Sequence, residues 1–505
     1  MIGGFAIKNK LIIISIIFLV LMTISCVDAR ENNGNVDNLT LPNTGPVSNA
    51  NPDSFSTLAG EINAASQTKS LNLTADYKFD SLKDSEYSNG IVININGLVI
   101  DGLGHTIDGN KQARIFNIQS KNVVLKNINI INGNTSSNGG GLYWTGSNGT
   151  ILNSTIKNCV SPNNGGGVFL LGTSTIKNSK FIGNCATFGG GVDFETDSYA
   201  IDCIFENNFA KYLGGGLYSS ENSTIFNSTF KDNDCSGDGG GIYFHLFGSV
   251  ENCSFKKNHA VGYGGALTSE NDITIKNSEF ILNTAKFAGA LYFKGNGNLD
   301  NSILTQNSAD LGGAVYATSF EINIKNSKFN HNNAQKGSSV YSTTKLAKIE
   351  NTSFNNDPSS YESEIYSNTA AQLNNVSFNN VTKEDIVEYE TPENTTQPNQ
   401  TNPNSNVPKP IIKKKTVIIA KSRIFKLKAK VKTYTIILKS GKSLLKYKKI
   451  ILKVNRKTYI RKTNSRGICV FNLKFVKKAT CKALIQFNGD KYYKYSRRIV
   501  IIRIK

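Results

Sequence analysis

Carboxylates, histidines and cysteines are the side chains here with chemistry to offer, and their spacing decides which chemistry is open to them. Hydrolysis of a sugar bond uses two carboxylates held ~5 to 9 Å apart. Lyase chemistry uses an acidic calcium cluster with a nearby Arg or Lys. The sequence contains no Asp-Asp pair and no Gly-His-Gly. Its best carboxylate pair is Asp193 with Glu195, two residues apart and so on one face of a strand, which we read as surface decoration. His105, His245, His259 and His331 fall at different repeat positions, so neither a catalytic base nor a metal site is expected to assemble. We expect no catalytic residue, no metal and no cofactor, and a protein that is not an enzyme.

The cysteines point the same way. Removing Cys26 with a leader leaves seven of the eight, an odd number that cannot all pair. Cys203 and Cys253 are two repeats apart in one column, as are Cys185 and Cys235. At ~4.8 Å per coil that separation is too long for a direct bridge. Most of them read as small core residues.

What must position any site is a repeat. Glycine triplets start at Gly139, Gly165, Gly189, Gly214 and Gly239, and continue as Gly264-Gly265-Ala266, Ala288-Gly289-Ala290, Gly312-Gly313-Ala314 and Gly337-Ser338-Ser339, in steps of 24 to 26 residues. A second column keeps the beat: Asn153, Asn178, Asp202, Asn227, Asn252, Asn277, Asn301, Asn326, Asn351 and Asn375. Phe181, Phe205, Phe230, Phe255, Phe280 and Phe329 are each followed three residues on by Asn. Columns that stay in register over this length mark a solenoid. Each unit shows short β-type runs separated by Gly, Asn and Ser, and cannot bury its own apolar face except against its neighbours. We therefore expect an all-β chain, a right-handed parallel β-helix of ten to twelve coils on the order of 50 Å long, followed by a small antiparallel β-sandwich. The inner column is Leu142, Val168, Val192, Leu217, Ile242, Leu267, Leu291, Val315 and Val340. Glycine precedes it because a corner needs positive φ and close backbone approach. Asn at the other corner tolerates the left-handed region and can stack its amide on the next coil.

Strand alternation then fixes an outer column. If the aliphatic residues point inward, Tyr143, Phe169, Tyr218, Tyr243, Tyr292, Tyr316 and Tyr341 point outward, interrupted at Asp193 and Thr268. Rings with an apolar body and a polar tip suit sugar recognition. Equally, stacked aromatics stabilise a sheet whether or not anything binds.

The Gly-Gly-Gly or Gly-Gly-Ala triplet followed by an aliphatic and Tyr, with Phe-x-x-Asn, resembles the polymorphic outer-membrane protein repeat. Ile100-Asp101-Gly102-Leu103-Gly104-His105-Thr106-Ile107-Asp108-Gly109 and Asn122-Val123-Val124-Leu125-Lys126-Asn127-Ile128 resemble the opening coils of pectate-lyase-like β-helices. With the basic tail described next, the whole is similar to archaeal adhesin-like surface proteins, over roughly residues 54 to 505. That resemblance implies adhesion; the pectate-lyase-like one admits, as the alternative, an extracellular polysaccharide lyase or hydrolase. Asp238 in Gly237-Asp238-Gly239-Gly240 has the form of a calcium-binding nonapeptide, but only once, where such sites need tandem copies.

Around the solenoid, residues 1–29 read as a signal peptide, with Lys8, Lys10 and the apolar run Leu11 to Met22 ahead of Val27-Asp28-Ala29. That run is shorter than the ~20 residues of a span, so the mature chain is expected to lack a transmembrane segment and to be secreted, at the cell surface or wall. Residues 30–90 form an N-terminal segment and cap, in which Phe55, Leu58 and Ile62 suggest a helix over the first coil. Residues 91–385 are the β-helix, and 386–412 a Pro/Asn/Thr-rich linker in which Thr391 to Pro410 holds five of the ten prolines.

Charge separates the last segment from the rest. Residues 411 to 505 hold 30 Lys and Arg against Asp490 alone, +29, leaving 27 against 36 acids, −9, elsewhere. Residues 413–505 read as a basic sandwich. Phe425-Lys426-Leu427-Lys428-Ala429-Lys430-Val431-Lys432 alternates, placing Lys426, Lys428, Lys430 and Lys432 on one face of one strand. Gly467-Ile468-Cys469-Val470-Phe471 and Phe487-Asn488-Gly489-Asp490-Lys491-Tyr492-Tyr493 resemble bacterial immunoglobulin-like domains. Export and scattered lysines exclude nucleic acid as partner; a cell-envelope polyanion is expected instead. The β-helix is expected to meet an extracellular glycan or surface protein.

Overall fold

The computed structural model describes residues 52–319, 321–344, 346–355, 363–367, 371–379, 387–388, 414, 416–428, 432–441, 443–455, 457–475, 478–487, 493 and 496–505. The expected signal peptide, and the linker apart from residues 387–388, lie outside them. The chain divides into two units, Met1–Asn394 and Thr395–Lys505.

In the first unit three parallel sheets of thirteen described strands run side by side, from Ser70–Asn72 to Gln372–Asn374, from Tyr77–Lys78 to Ser377–Phe378, and from Ile91–Ile93 to Val387–Glu388. Every strand pairs with the strand one repeat away, so each coil contributes one strand to each sheet. Through the middle of the solenoid the register holds residue by residue, with Leu217 opposite Ile242 and Tyr218 opposite Tyr243. The first coil begins at Ser70, earlier than the boundary at residue 91. Ser70-Leu71-Asn72 has no glycine triplet to announce it, and its pairing with Val99-Ile100-Asp101 reveals it.

Corner conformations explain the two columns. The first residue of each triplet is left-handed, as at Gly214 with φ 69° and Ala288 with φ 59°, and a Cβ on Gly215 would strike the Gly240 carbonyl of the next coil. The Asn column is left-handed throughout, from φ 47° at Asn301 to 56° at Asp202 and Asn252. Its amides form an exposed ladder: Asn301 Nδ2 donates to Asn277 Oδ1 at 2.8 Å, and Asp202 serves as acceptor for Asn227 at 2.6 Å.

The interior is closed by the aliphatic column, every member 0 % exposed, and by a stack of phenylalanines. Phe205 and Phe230 lie 4.4 Å apart and 2° from parallel, and Phe230, Phe255 and Phe280 continue at 4.9 Å. Beside them runs a second, buried amide ladder that the sequence reading missed. Asn233 Nδ2 donates to Asn258 Oδ1 and to the Phe205 carbonyl, both at 2.9 Å, a pattern repeated from Asn184 to Asn307. The Phe-x-x-Asn beat was its signal. The helix Phe55–Ala64 caps the open end, with Ser54 accepting from the Thr57 amide and Phe55, Leu58, Ala59 and Ile62 buried. Cys159, Cys203, Cys235 and Cys253 are buried free thiols.

The second unit is two packed, largely antiparallel sheets around Tyr434, Ile436, Leu452, Phe471, Ile485 and Ile502. One sheet holds Val417–Ile419, Lys432–Ser440, Ser443–Leu444 and Ile468–Leu473; the other holds Arg423–Phe425, Lys449–Val454, Lys457–Lys462, Ala479–Phe487 and Ser496–Ile504. The alternating run from Phe425 to Lys432 is not one strand. Arg423–Phe425 ends against Ile504 in one sheet, and Lys432 opens a strand of the other. Lys432 is consequently in phase with Tyr434 and Ile436, its stem buried and its Nζ donating to the Leu427 carbonyl at 2.9 Å. It does not belong to an exposed lysine face. Lys426 and Lys428 are exposed, and Lys430 lies outside the described residues.

Candidate functional site

Outward alternation places the expected rings on one face of the third sheet. Leu142 and Trp144 are buried on either side of half-buried Tyr143, and the same pattern holds around Tyr218, Tyr292, Tyr316 and Tyr341. All lie outside the interior hydrophobic cluster. Neighbouring rings touch: Tyr143 with Phe169 at 5.5 Å, Tyr218 with Tyr243 at 5.8 Å, Tyr292 with Tyr316 at 5.6 Å and Tyr316 with Tyr341 at 4.9 Å. Tyr366, not anticipated, adds a further ring 4.6 Å beyond Tyr341. Phe169 and Tyr243 are nevertheless only 5 % exposed, because rings one coil apart cover each other's faces.

A second aromatic file deepens that cover. A short fourth sheet, Cys185–Phe188, Phe209–Leu213, Asp234–Cys235, His259–Tyr263 and Thr284–Phe287, runs just before the glycine triplets. Phe188 and Tyr263 stand five residues ahead of Asp193 and Thr268, the two breaks in the outer column. Phe188 reaches Tyr218 at 5.8 Å, and Tyr263 reaches Tyr292 at 4.4 Å and Tyr316 at 6.1 Å. At each break a ring from the same coil thus packs against the outer ring that follows. At one end Arg114 lies over Tyr143, 5.2 Å from its centroid, and donates to the carbonyls of Asn89, Asn138 and Gly139. Burial lowers its pKa to about 10, against the opposing charge of Tyr143.

Charged groups gather in the middle of the strip. Two residues past each ring position, and so on the same face, come Glu195, Ser220, His245, Glu270 and Lys294. Glu270 takes Lys294 Nζ on Oε1 and His245 Nδ1 on Oε2, both at 2.8 Å. Burial pushes the Glu270 carboxyl up, but Lys294, Tyr243 and His245 outweigh it and hold it below its usual range. Asp238 accepts from the Tyr263 amide at 2.9 Å, a structural bond with no tandem partner. Burial leads the upward shift of the Tyr218 and Tyr243 hydroxyls, so both stay protonated.

Asp193 corrects the sequence reading. It is not surface decoration: it is 0 % exposed, and neither carboxyl oxygen makes a hydrogen bond. Register places it between Phe169 and Tyr218. Burial first, and the charge of Glu195 second, push its carboxyl well above the usual range; Asn164 opposes the shift weakly and donates instead to Glu195 Oε1 at 3.4 Å. That shift favours the protonated form of Asp193. The other histidines stay apart, His105 near Asp76 at 3.1 Å and His259 near Thr284 at 2.9 Å, and His331 sits at a left-handed turn. Among the described residues no group of three or more His, Cys, Asp or Glu is arranged to hold a metal ion.

With this geometry established, comparison with known proteins adds one finding. The family model "Right handed beta helix region" matches residues 166–329. That stretch covers the glycine-triplet coils from Gly166 to Gly312-Gly313-Ala314 and contains Asp193, Glu270 and five of the expected rings. The chain is a right-handed β-helix there, similar to a family that holds enzymes of the pectate-lyase kind and non-enzymes alike. No curated protein matches the chain. Among the described residues no helix is long and apolar enough to cross a membrane.

Proposed function

We propose that this is an exported, adhesin-like surface protein and not an enzyme, whose β-helix presents the outer aromatic strip to an extracellular glycan and whose basic unit associates with the anionic envelope. The strip carries the reading. Its rings run over successive coils on one outer face, with polar groups beside them, which is what stacking on sugar rings demands. Incubating the chain with a panel of microbial and host glycans tests it: retention of a saccharide, weakened by Tyr218→Thr with Tyr243→Thr, is the expected outcome, and retention of none rejects it.

For the basic unit, a formal +29 over residues 411 to 505 and exposed Lys426 and Lys428 favour attraction to a polyanion such as an envelope polymer. Deleting 411 to 505 releases the protein from cells, and retention of the full chain falls steeply with salt because exposed charges are screened. Retention that ignores salt, or persists without the segment, contradicts this role.

A polysaccharide lyase or hydrolase is the second reading, and Asp193 beside Glu195 favours it, since burial favours the protonated form of the Asp193 carboxyl and a protonated carboxyl can act as a general acid. New reducing or unsaturated ends after prolonged incubation with a bound glycan would establish that reading in place of the first.

A further inference from the structure

The glycan-binding reading does not say which sugar the middle of the strip takes, and one side chain there has no role in folding. Asp193 is fully buried with both oxygens unpartnered, a costly state that native proteins avoid. The other break in the ring column shows the ordinary solution. Thr268 is 1 % exposed and donates its hydroxyl to the Tyr263 carbonyl at 2.8 Å.

Charge around Asp193 is one-sided. Partly exposed Glu195 lies on its strand face. The titratable groups that raise the Tyr218 hydroxyl are Asp193, Glu195 and Glu270, and those that raise the Tyr243 hydroxyl are Glu270, Asp238 and Tyr218, every one an acid rather than a base. Lys294 and His245 are both occupied by Glu270. Aromatic faces are themselves electron-rich. A polyanion is repelled from such a seat, whereas a cation is drawn to it by rings and carboxylates together.

We propose that the strip between Asp193 and Glu270 is a subsite for the protonated amine of an amino sugar unit, its ring face on half-buried Tyr218, which Tyr243 backs from the next coil, and its ammonium held by Glu195. This rests on the glycan-binding reading. The incoming ammonium supplies the positive charge Asp193 lacks and so favours its ionised form; a proton held there leaves to water, and the buried carboxylate becomes the second counter-ion. Asp193→Asn keeps the shape of the neutral acid and cannot ionise.

Calorimetric titration of the full chain with a glucosamine oligomer and with the same oligomer N-acetylated decides it. The free-amine oligomer binds about tenfold more tightly, as a cation over aromatic rings does. Asp193→Asn and, separately, Glu195→Gln erase that preference without lowering the melting temperature, and Tyr218→Thr with Tyr243→Thr weakens both oligomers. Equal affinity of the wild-type chain for the two oligomers, no binding of either, or an Asp193→Asn chain that keeps the preference overturns the proposal. Binding of other neutral glycans that survives such a failure leaves the general reading standing.

Discussion

Two files of aromatic rings run along the same coils, one inside the solenoid and one outside, and they obey different rules. The inner phenylalanines are 0 % exposed and near parallel, with interplanar angles of 2° to 13° from Phe181 to Phe280. The outer rings sit at similar separations but range from 6° between Tyr341 and Tyr366 to 87° between Tyr316 and Tyr341. Close packing from all sides imposes a single orientation on the inner file. The outer rings lack that constraint on their solvent side, so core packing does not account for tyrosine recurring there. Where the inner file departs from phenylalanine it takes another apolar residue, Leu304; where the outer file departs it takes Thr268, with its own bond, or Asp193, with none.

The sharpest way to break this contrast is to make the two files equal in stability. Phe230→Ala should cost about 3–5 kcal/mol, read as a large fall in the denaturation midpoint. A loss of under ~1 kcal/mol, the size of a cross-strand pair, would mean that the inner stack is no more structural than the outer one.

A second effect separates Asp193 from every ring. Its carboxyl titrates higher in the folded protein than in the unfolded chain, so the folded state retains a proton that the unfolded state gives up. Stability contributed by this group is therefore fullest below the ordinary carboxylate range near ~4 and declines as pH rises above it. Asp193→Asn should be more stable than wild type at pH 7, with the gap closing as pH falls toward ~4. Parallel melting curves across that range would show that the fold does not raise the Asp193 carboxyl.

What was legible in the sequence follows from where each feature is decided. Gly214 and Asn227 are fixed by local backbone conformation, both left-handed, and residue type announces that directly. Ring direction at Tyr218 follows from strand alternation once Leu217 is assigned inward. The burial of Asp193 depends on its neighbours one coil away, Phe169 and Tyr218, and on the file to which Phe188 belongs, and no spacing rule around residue 193 contains them. Lys432 failed for a related reason: alternation gives the phase of a run but not the point where the chain leaves one sheet for another. The Asn184 to Asn307 ladder was visible as a beat, yet its burial came from the coil.

The smallest stability effect belongs to the outer file, and there the central claim is most exposed. Tyr218→Thr with Tyr243→Thr, carrying the residue already accommodated at 268, is measured for melting temperature and glycan retention on the same preparation. The account predicts a loss of about 0.2–1 kcal/mol per ring pair, together with glycan retention reduced to background. A clearly lowered melting temperature with retention unchanged would contradict it and leave the outer tyrosines as struts of the sheet.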